Sequence, residues 1–180
     1  MLIIEGPDCV GKTTFANKVT EYANTQLDGH AYYQHMTRPS KHFDFCYDYV
    51  DMMSIFGVMD RFHLGAFAYH PVGTMTLSKL SYIEGELLVR GSFIVVMYDS
   101  IHEHYKGLLE KDPRKQMFDK DTLMGANHVF RDIALKKYGC KVHLSIDVAN
   151  GFPNDDIIAV TAEQWMLNVK VILERKIKWS

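Results

Sequence analysis

Cysteine is scarce in this chain of 180 residues, and Cys9, Cys46 and Cys140 are widely scattered with no C-x-x-C pair. That argues against a disulfide framework and a zinc site, and it fits a reducing cytosol. An excess of positive charge is also missing, since 20 Lys and Arg stand against 22 Asp and Glu, for a net charge of −2 and a pI near 6.5. Nucleic acid and anionic membranes are therefore not expected as partners, and any anion site must be local. No apolar run approaches membrane-spanning length, and a strand opening at Leu2 leaves no room for a leader. The expectation is an unprocessed cytoplasmic protein. Repeats, low-complexity tracts and linkers are absent, so with 47% apolar and 23% charged residues the whole of 1–180 reads as one compact domain. His102-Glu103-His104 and the isolated His63, His70 and His128 lack ligand spacing to any Cys or Glu, so surface or packing roles are expected of them.

What is present begins at the first residues. Leu2 to Glu5 are strand-forming and run into Gly6-Pro7-Asp8-Cys9-Val10-Gly11-Lys12-Thr13, after which helix-forming residues follow. The G-x-x-x-x-G-K-[ST] spacing thus sits between a strand and a helix, the context a phosphate-binding loop requires. Glycines at both ends let the backbone curl so that N–H groups from about Val10 to Thr14 face one point, toward which the positive end of the helix also points. Lys12 can reach the β- and γ-phosphates of ATP, and the Thr13 hydroxyl can ligate Mg²⁺. Gly6, Asp8, Cys9, Val10, Gly11, Lys12, Thr13 and Thr14 are the donor-binding residues of this reading.

Downstream, the periodicity predicts a helix from Lys12 to about Ala23, a strand over 31–36, a turn at Thr37-Arg38-Pro39-Ser40, and a short helix over 42–53. A strand over 55–59 delivers Asp60-Arg61 at its C-terminal end, outside which ligands bind in open α/β sheets. Helices follow over 62–69 and 77–89, with a turn through Pro71 and Gly73 between them. Phe93 to Tyr98 is apolar throughout, as a strand covered on both faces would be. A helix over 101–110, a charged Pro-broken segment, helices over 121–138 and 161–177, and a strand over 141–146 complete the chain, with Asn150 to Asn154 as a loop. Strands alternating with helices imply an α/β three-layer sandwich: a five-stranded parallel sheet with helices on both faces.

A phosphate loop alone permits a switch GTPase, an ATPase motor or a small-molecule kinase. Asp60-Arg61-Phe62-His63-Leu64-Gly65-Ala66-Phe67-Ala68-Tyr69-His70 resembles the D-R-Y-x-x-S-x-x-A-Y-Q stretch of thymidylate kinases, Asp8 matches the Asp of that family's loop, and Thr37-Arg38-Pro39 is similar to a shortened T-R-E-P turn. The order of elements follows the family over nearly the whole chain. The resemblance implies a P-loop kinase fold of the compact phage-encoded kind, working in the host cytoplasm, with a short lid at about 105–120. It also implies transfer of the ATP γ-phosphate to a deoxyribonucleoside 5′-monophosphate.

In that reading Arg61 holds the acceptor phosphate, for which a planar fork of donors is suited. Asp60 anchors the Mg²⁺ water shell and orients Arg61, while Asp8 faces the acceptor sugar. Tyr69 packs under the deoxyribose or serves as a core aromatic. Arg38 adds to the acceptor-phosphate site, and Arg114, beside Lys111 and Lys115, stands where the lid cation would be, although the local sequence departs from the family pattern. Asn150 and Phe152 occupy the adenine-side loop. Phe43 and Phe45 offer stacking rings for the acceptor base. Gly65 and Ala66 stand where the family places polar residues, which suggests a pyrimidine other than plain thymine: dTMP, dUMP or a 5-substituted dUMP such as 5-hydroxymethyl-dUMP. The alternatives are a deoxynucleoside kinase and, from another class, a nucleotide-binding switch or module, the GTPase version weakened by the lack of an N-K-x-D motif after any strand. A homodimer through helix faces is open, with the apolar helix at 62–69 available for it.

Overall fold

The computed structural model describes residues 1–35, 55–69, 75–112 and 118–178, with side chains to 175. Five strands form one sheet: β1 (Leu2–Glu5), β2 (Tyr32–His35), β3 (Gly57–Asp60), β4 (Phe93–Tyr98) and β5 (Leu144–Asp147). Their order is β2-β3-β1-β4-β5, and every pairing is parallel. Six α-helices are described: α1 (Lys12–Gln26), α2 (His63–Tyr69), α3 (Leu77–Val89), α4 (His102–Lys111), α5 (Lys120–Ala134) and α6 (Asp155–Lys178).

Alternation along the strands builds the two faces. Leu2, Ile4, Val95 and Met97 point into one apolar cluster with Phe15 and Val19 of α1 and Trp165 and Val169 of α6. Ile3, Ile94 and Val96 point into another, with Phe67 of α2, Ile83 of α3 and Phe130 of α5. Successive residues of a strand face opposite sides, so β1, apolar from Leu2 to Ile4, and β4 require cover on both, and the helices supply it. The fold is an α/β P-loop kinase-like three-layer sandwich, as the sequence led us to expect.

Element boundaries differ from expectation in several places. α6 begins at Asp155 rather than 161, because Asn154 caps it through Oδ1 to the Ile157 N–H, 3.1 Å. α5 ends at Ala134 rather than 138, where Lys136 takes a left-handed φ of 60°. β5 begins at Leu144 rather than 141, so Val142 precedes the strand, although Ile146 is buried as expected. The expected turn at 37–40, helix at 42–53, turn through Pro71 and Gly73, and the middle of the lid lie outside the described residues.

Candidate nucleotide-binding site

The loop between β1 and α1 depends on its two motif glycines. Gly6 has φ of 152°, and a Cβ there would stand 2.3 Å from the Met97 carbonyl oxygen, so backbone must pass backbone at this point. Gly11 has φ of 83° and lies under the Phe152 ring, 2.7 Å from where a Cβ would be. Between them Cys9 also adopts a left-handed φ of 68°. Lys12 is buried, and its ammonium donates to the Pro7 carbonyl at 2.5 Å, folding back across the loop. Burial pushes this ammonium below the usual lysine range, against the pull of Asp60, Asp8 and Glu5. The first-turn N–H groups of α1 are the helix's unpaired donors, and they lie next to this cation.

Asp60, at the end of β3 and fully buried, is the hub opposite the loop. Its Oδ2 accepts from the Thr13 hydroxyl at 2.5 Å, the Tyr33 hydroxyl at 3.0 Å and His35 Nδ1 at 3.0 Å. Burial by itself raises this carboxyl, yet the Lys12 ammonium and the Thr13 and His35 bonds outweigh it and hold it below the ordinary range. Burial, and after it the same carboxylate, pushes the Tyr33 phenol up to about 12. Oδ1 of Asp60 has no hydrogen-bond partner among the described residues.

Arg61 follows with φ of 69°, a strained conformation for a side chain of that size. Its N–H continues the ladder to the Ile4 carbonyl, and its guanidinium pairs with Asp8 Oδ1 at 2.5 Å. The expectation that Asp60 orients Arg61 is corrected here: Asp8 of the loop is the carboxylate that holds it, while Asp60 spends its bonds on Thr13, Tyr33 and His35. The left-handed turn carries the Arg61 side chain to Asp8, where its head remains 37% exposed. Tyr69 accepts from the Asp8 N–H at 3.0 Å and stacks on Phe118, so its hydroxyl ties α2 to the loop.

Three further residues complete the frame. Glu5, the charged residue in an otherwise apolar β1, accepts from the N–H groups of Phe62, Leu64 and Gly65, which fixes α2 and the Arg61 turn to the strand before the loop. Tyr105 of α4 donates to the Asp8 carbonyl at 3.1 Å, and the Cys9 thiol donates to Asp112 Oδ2 at 3.0 Å. These contacts fasten the lid-side helix to the loop. Sequence reading missed Glu5, Tyr33, His35 and Tyr105. A lone acid in a buried strand was a readable signal for Glu5, and the i, i+2 spacing of Tyr33 and His35 put both on the Asp60 side.

Among the expected residues, the structure gathers Gly6, Asp8, Cys9, Val10, Gly11, Lys12, Thr13, Thr14, Asp60, Arg61 and Tyr69 around one end of the sheet. Phe152 joins them over Gly11, with Lys18 Nζ 5.9 Å from its ring centre, while Asn150 closes the short 3-10 turn after β5. Gly65 is half-buried on α2, but Ala66 packs into the core. Arg38, Phe43, Phe45 and Arg114 lie outside the described residues. His63 is fully buried between Glu5 and Glu84, 3.9 and 3.6 Å away.

A parallel sheet of this order with a glycine-bounded phosphate loop after its central strand defines a nucleotide kinase-like fold. Among solved structures, the chain is similar to the crystal structure of the YorR protein from Bacillus subtilis in complex with phosphorylated GDP, with a TM-score of 0.63 at 18% identity, over 94% of this chain and 95% of that one. No family model matches the chain, and no curated protein does.

Proposed function

We propose that the protein transfers the γ-phosphoryl group of ATP, with Mg²⁺, to a pyrimidine deoxyribonucleoside 5′-monophosphate, in the manner of the thymidylate kinases it resembles. The observation that carries this reading is Arg61: a strained strand-end turn presents a half-exposed guanidinium beside the phosphate loop, on a carboxylate of the loop itself. A second phosphate, separate from the donor's, is the ligand such a cation suits. That the YorR crystal structure contains phosphorylated GDP supports a nucleotide as ligand here too.

The donor's β- and γ-phosphates would lie against the first-turn N–H groups of α1 and Lys12, which would leave the Pro7 carbonyl to meet them. Asp60 Oδ1, buried and without a partner among the described residues, and the adjacent Thr13 hydroxyl suit a hard cation that prefers oxygen. Bound there, Mg²⁺ neutralises charge on the phosphates. The acceptor oxygen is already ionised, so what the chain supplies is position and charge. Asp8 would aim Arg61, and Glu5 would keep the Arg61 turn at a fixed distance from the loop. Phe152 over Gly11 supplies an apolar surface on the donor side. Gly65 offers no side chain to read the pyrimidine edge, and a Cβ there would lie 3.4 Å from Glu5 Oε2, so a 5-substituent on the acceptor is a matter for the comparison of substrates.

One observation favours a second reading, a deoxynucleoside kinase. His35 is held by buried Asp60, and a carboxylate-held imidazole is the base that a sugar hydroxyl would need. Measuring kcat/KM for dTMP, dUMP, 5-hydroxymethyl-dUMP, dCMP, purine deoxynucleoside monophosphates and thymidine under one set of conditions separates the readings. We expect a pyrimidine monophosphate to lead. Arg61→Ala should raise the acceptor KM and lower kcat with the ATP KM little changed. Preference for thymidine, for a purine, or an Arg61→Ala defect confined to ATP would overturn the proposal.

A further inference from the structure

Three side chains converge on one oxygen atom. β2 is the edge strand of the sheet, parallel to β3, with Tyr33 opposite Val58 and His35 opposite Asp60. Alternate residues of a strand share a face, and Tyr33 and Val58 lie on the α1 side of the sheet. That side carries Thr13, in the first turn of α1. The Thr13 hydroxyl, the Tyr33 hydroxyl and His35 Nδ1 accordingly all reach Asp60 Oδ2, at 2.5, 3.0 and 3.0 Å. An ionised carboxylate only accepts, so a proton of His35 sits on Nδ1.

The other oxygen, Oδ1, is also buried and has no partner among the described residues. Leaving a buried acceptor empty is unfavourable. Donors on either oxygen would serve to keep the acid ionised, so that need does not explain why all three fall on Oδ2. Coordination chemistry does. Mg²⁺ is small, keeps several of its waters and takes one oxygen of a carboxylate, whereas Ca²⁺ gathers more oxygens and readily grips both oxygens of one carboxylate. A carboxylate tied by three donors at Oδ2 has only Oδ1 to give.

We infer that Tyr33 and His35 are positioning residues that hold Oδ2 so that Asp60 meets the nucleotide's cation through Oδ1 alone, and that this arrangement selects Mg²⁺ over Ca²⁺. The inference rests on the ATP and Mg²⁺ reading above. In that reading Thr13 touches the cation itself, so Tyr33 and His35, which stand on the edge strand and outside the phosphate loop, are the pair that acts through Asp60. Oδ1 is closed to solvent, so the cation is expected to arrive with the nucleotide rather than ahead of it.

Calorimetric titration of a non-hydrolysable ATP analogue, with saturating Mg²⁺, saturating Ca²⁺ or a chelator, tests the inference without turnover. The wild type should bind the analogue more tightly with Mg²⁺ than with Ca²⁺, and most weakly with the chelator. Tyr33→Phe and His35→Ala should each narrow the ratio of Mg²⁺ to Ca²⁺ affinities, and the double variant should lose about tenfold of it. A structural defect would weaken both complexes and leave the ratio alone. His35→Asn, whose amide nitrogen can stand in for Nδ1, should keep most of the wild-type ratio. His35 is half-exposed on an edge strand, so His35→Ala and His35→Asn carry the test even where the double variant does not fold. Wild-type binding that is equal with metal and with chelator would overturn the ATP and Mg²⁺ reading, and this inference with it. Metal-dependent binding without a preference for Mg²⁺, or a preference that survives loss of the Tyr33 and His35 donors, overturns this inference alone.

Discussion

Glu5 shows how much of the site one side chain can hold. Its two carboxylate oxygens satisfy three backbone N–H groups of the Arg61–α2 turn, and it is fully buried. Glu5→Ala would remove the carboxylate acceptor of three backbone N–H groups, at about 1–3 kcal/mol for each one left unsatisfied. We expect a loss of about 3 kcal/mol in urea unfolding, and a loss under 1 kcal/mol would show that the turn stands without it. Cys140 illustrates the opposite use of burial. Its thiol is pushed up to about 12 by burial and by the neighbouring Glu84 carboxylate, both of which disfavour the thiolate. At pH 8 it stays protonated, so in a Cys9→Ser, Cys46→Ser variant it should not react with a disulfide reagent until the protein unfolds. Prompt labelling of the native variant would contradict this.

At the scale of elements, the start of α1 is set by conformation as much as by composition. Gly11→Ala would place a side chain at φ of 83°, costing about 1–2 kcal/mol, and would press on the Phe152 ring. We predict a stability loss of that size and a higher ATP KM, and the double variant with Phe152→Ala should show coupling, since the ring contact is removed once. Strict additivity would place Phe152 elsewhere. The phosphate loop and β4 were legible because their signals are local: a fixed glycine spacing, and an unbroken apolar run. The start of α6 was missed although Asn154 and the acidic pair Asp155-Asp156 form an ordinary helix-start signal; the loop residues Phe152-Pro153 before them drew the reading too far along. The end of α5 was misplaced because Gly139 looked like the stop, while the chain had already turned at Lys136. The site was legible where residues are near in sequence, as in the loop and Asp60-Arg61. Pairings such as Arg61 with Asp8, or Tyr105 with the Asp8 carbonyl, join positions separated by 53 and 97 residues. No periodicity encodes those.

For the whole molecule, the parallel order β2-β3-β1-β4-β5 places β1 between β3 and β4, so the loop after β1 is flanked by the ends of both neighbours. Asp60 and Arg61 arrive from β3 on one side. From the other, the chain leaving β4 leads into α4, whose Tyr105 returns to the loop. In the proposed reading, donor and acceptor sites would share the loop but not the same cations, because Lys12 lies within it and Arg61 lies beside it. Ligand-induced stabilisation should therefore separate them. A ligand binding only the folded state adds about 2.7 kcal/mol at one hundred times its Kd, and at about 2–4 °C per kcal/mol for a chain of this size the Tm should rise by several degrees. A non-hydrolysable ATP analogue with Mg²⁺ should give that shift in the wild type and in Arg61→Ala, and lose most of it in Lys12→Ala. dTMP or its preferred analogue should give it in Lys12→Ala and lose it in Arg61→Ala. The ligand-free Tm of Lys12→Ala is set by two opposed effects, relief of a buried ammonium and loss of the cation that helps keep buried Asp60 ionised, so we expect the protein to stay folded with a modest change in Tm. If either substitution abolished both shifts while the ligand-free protein remained folded, the two phosphates would not be held by separate cations, and the division of the site between loop and strand end would fail.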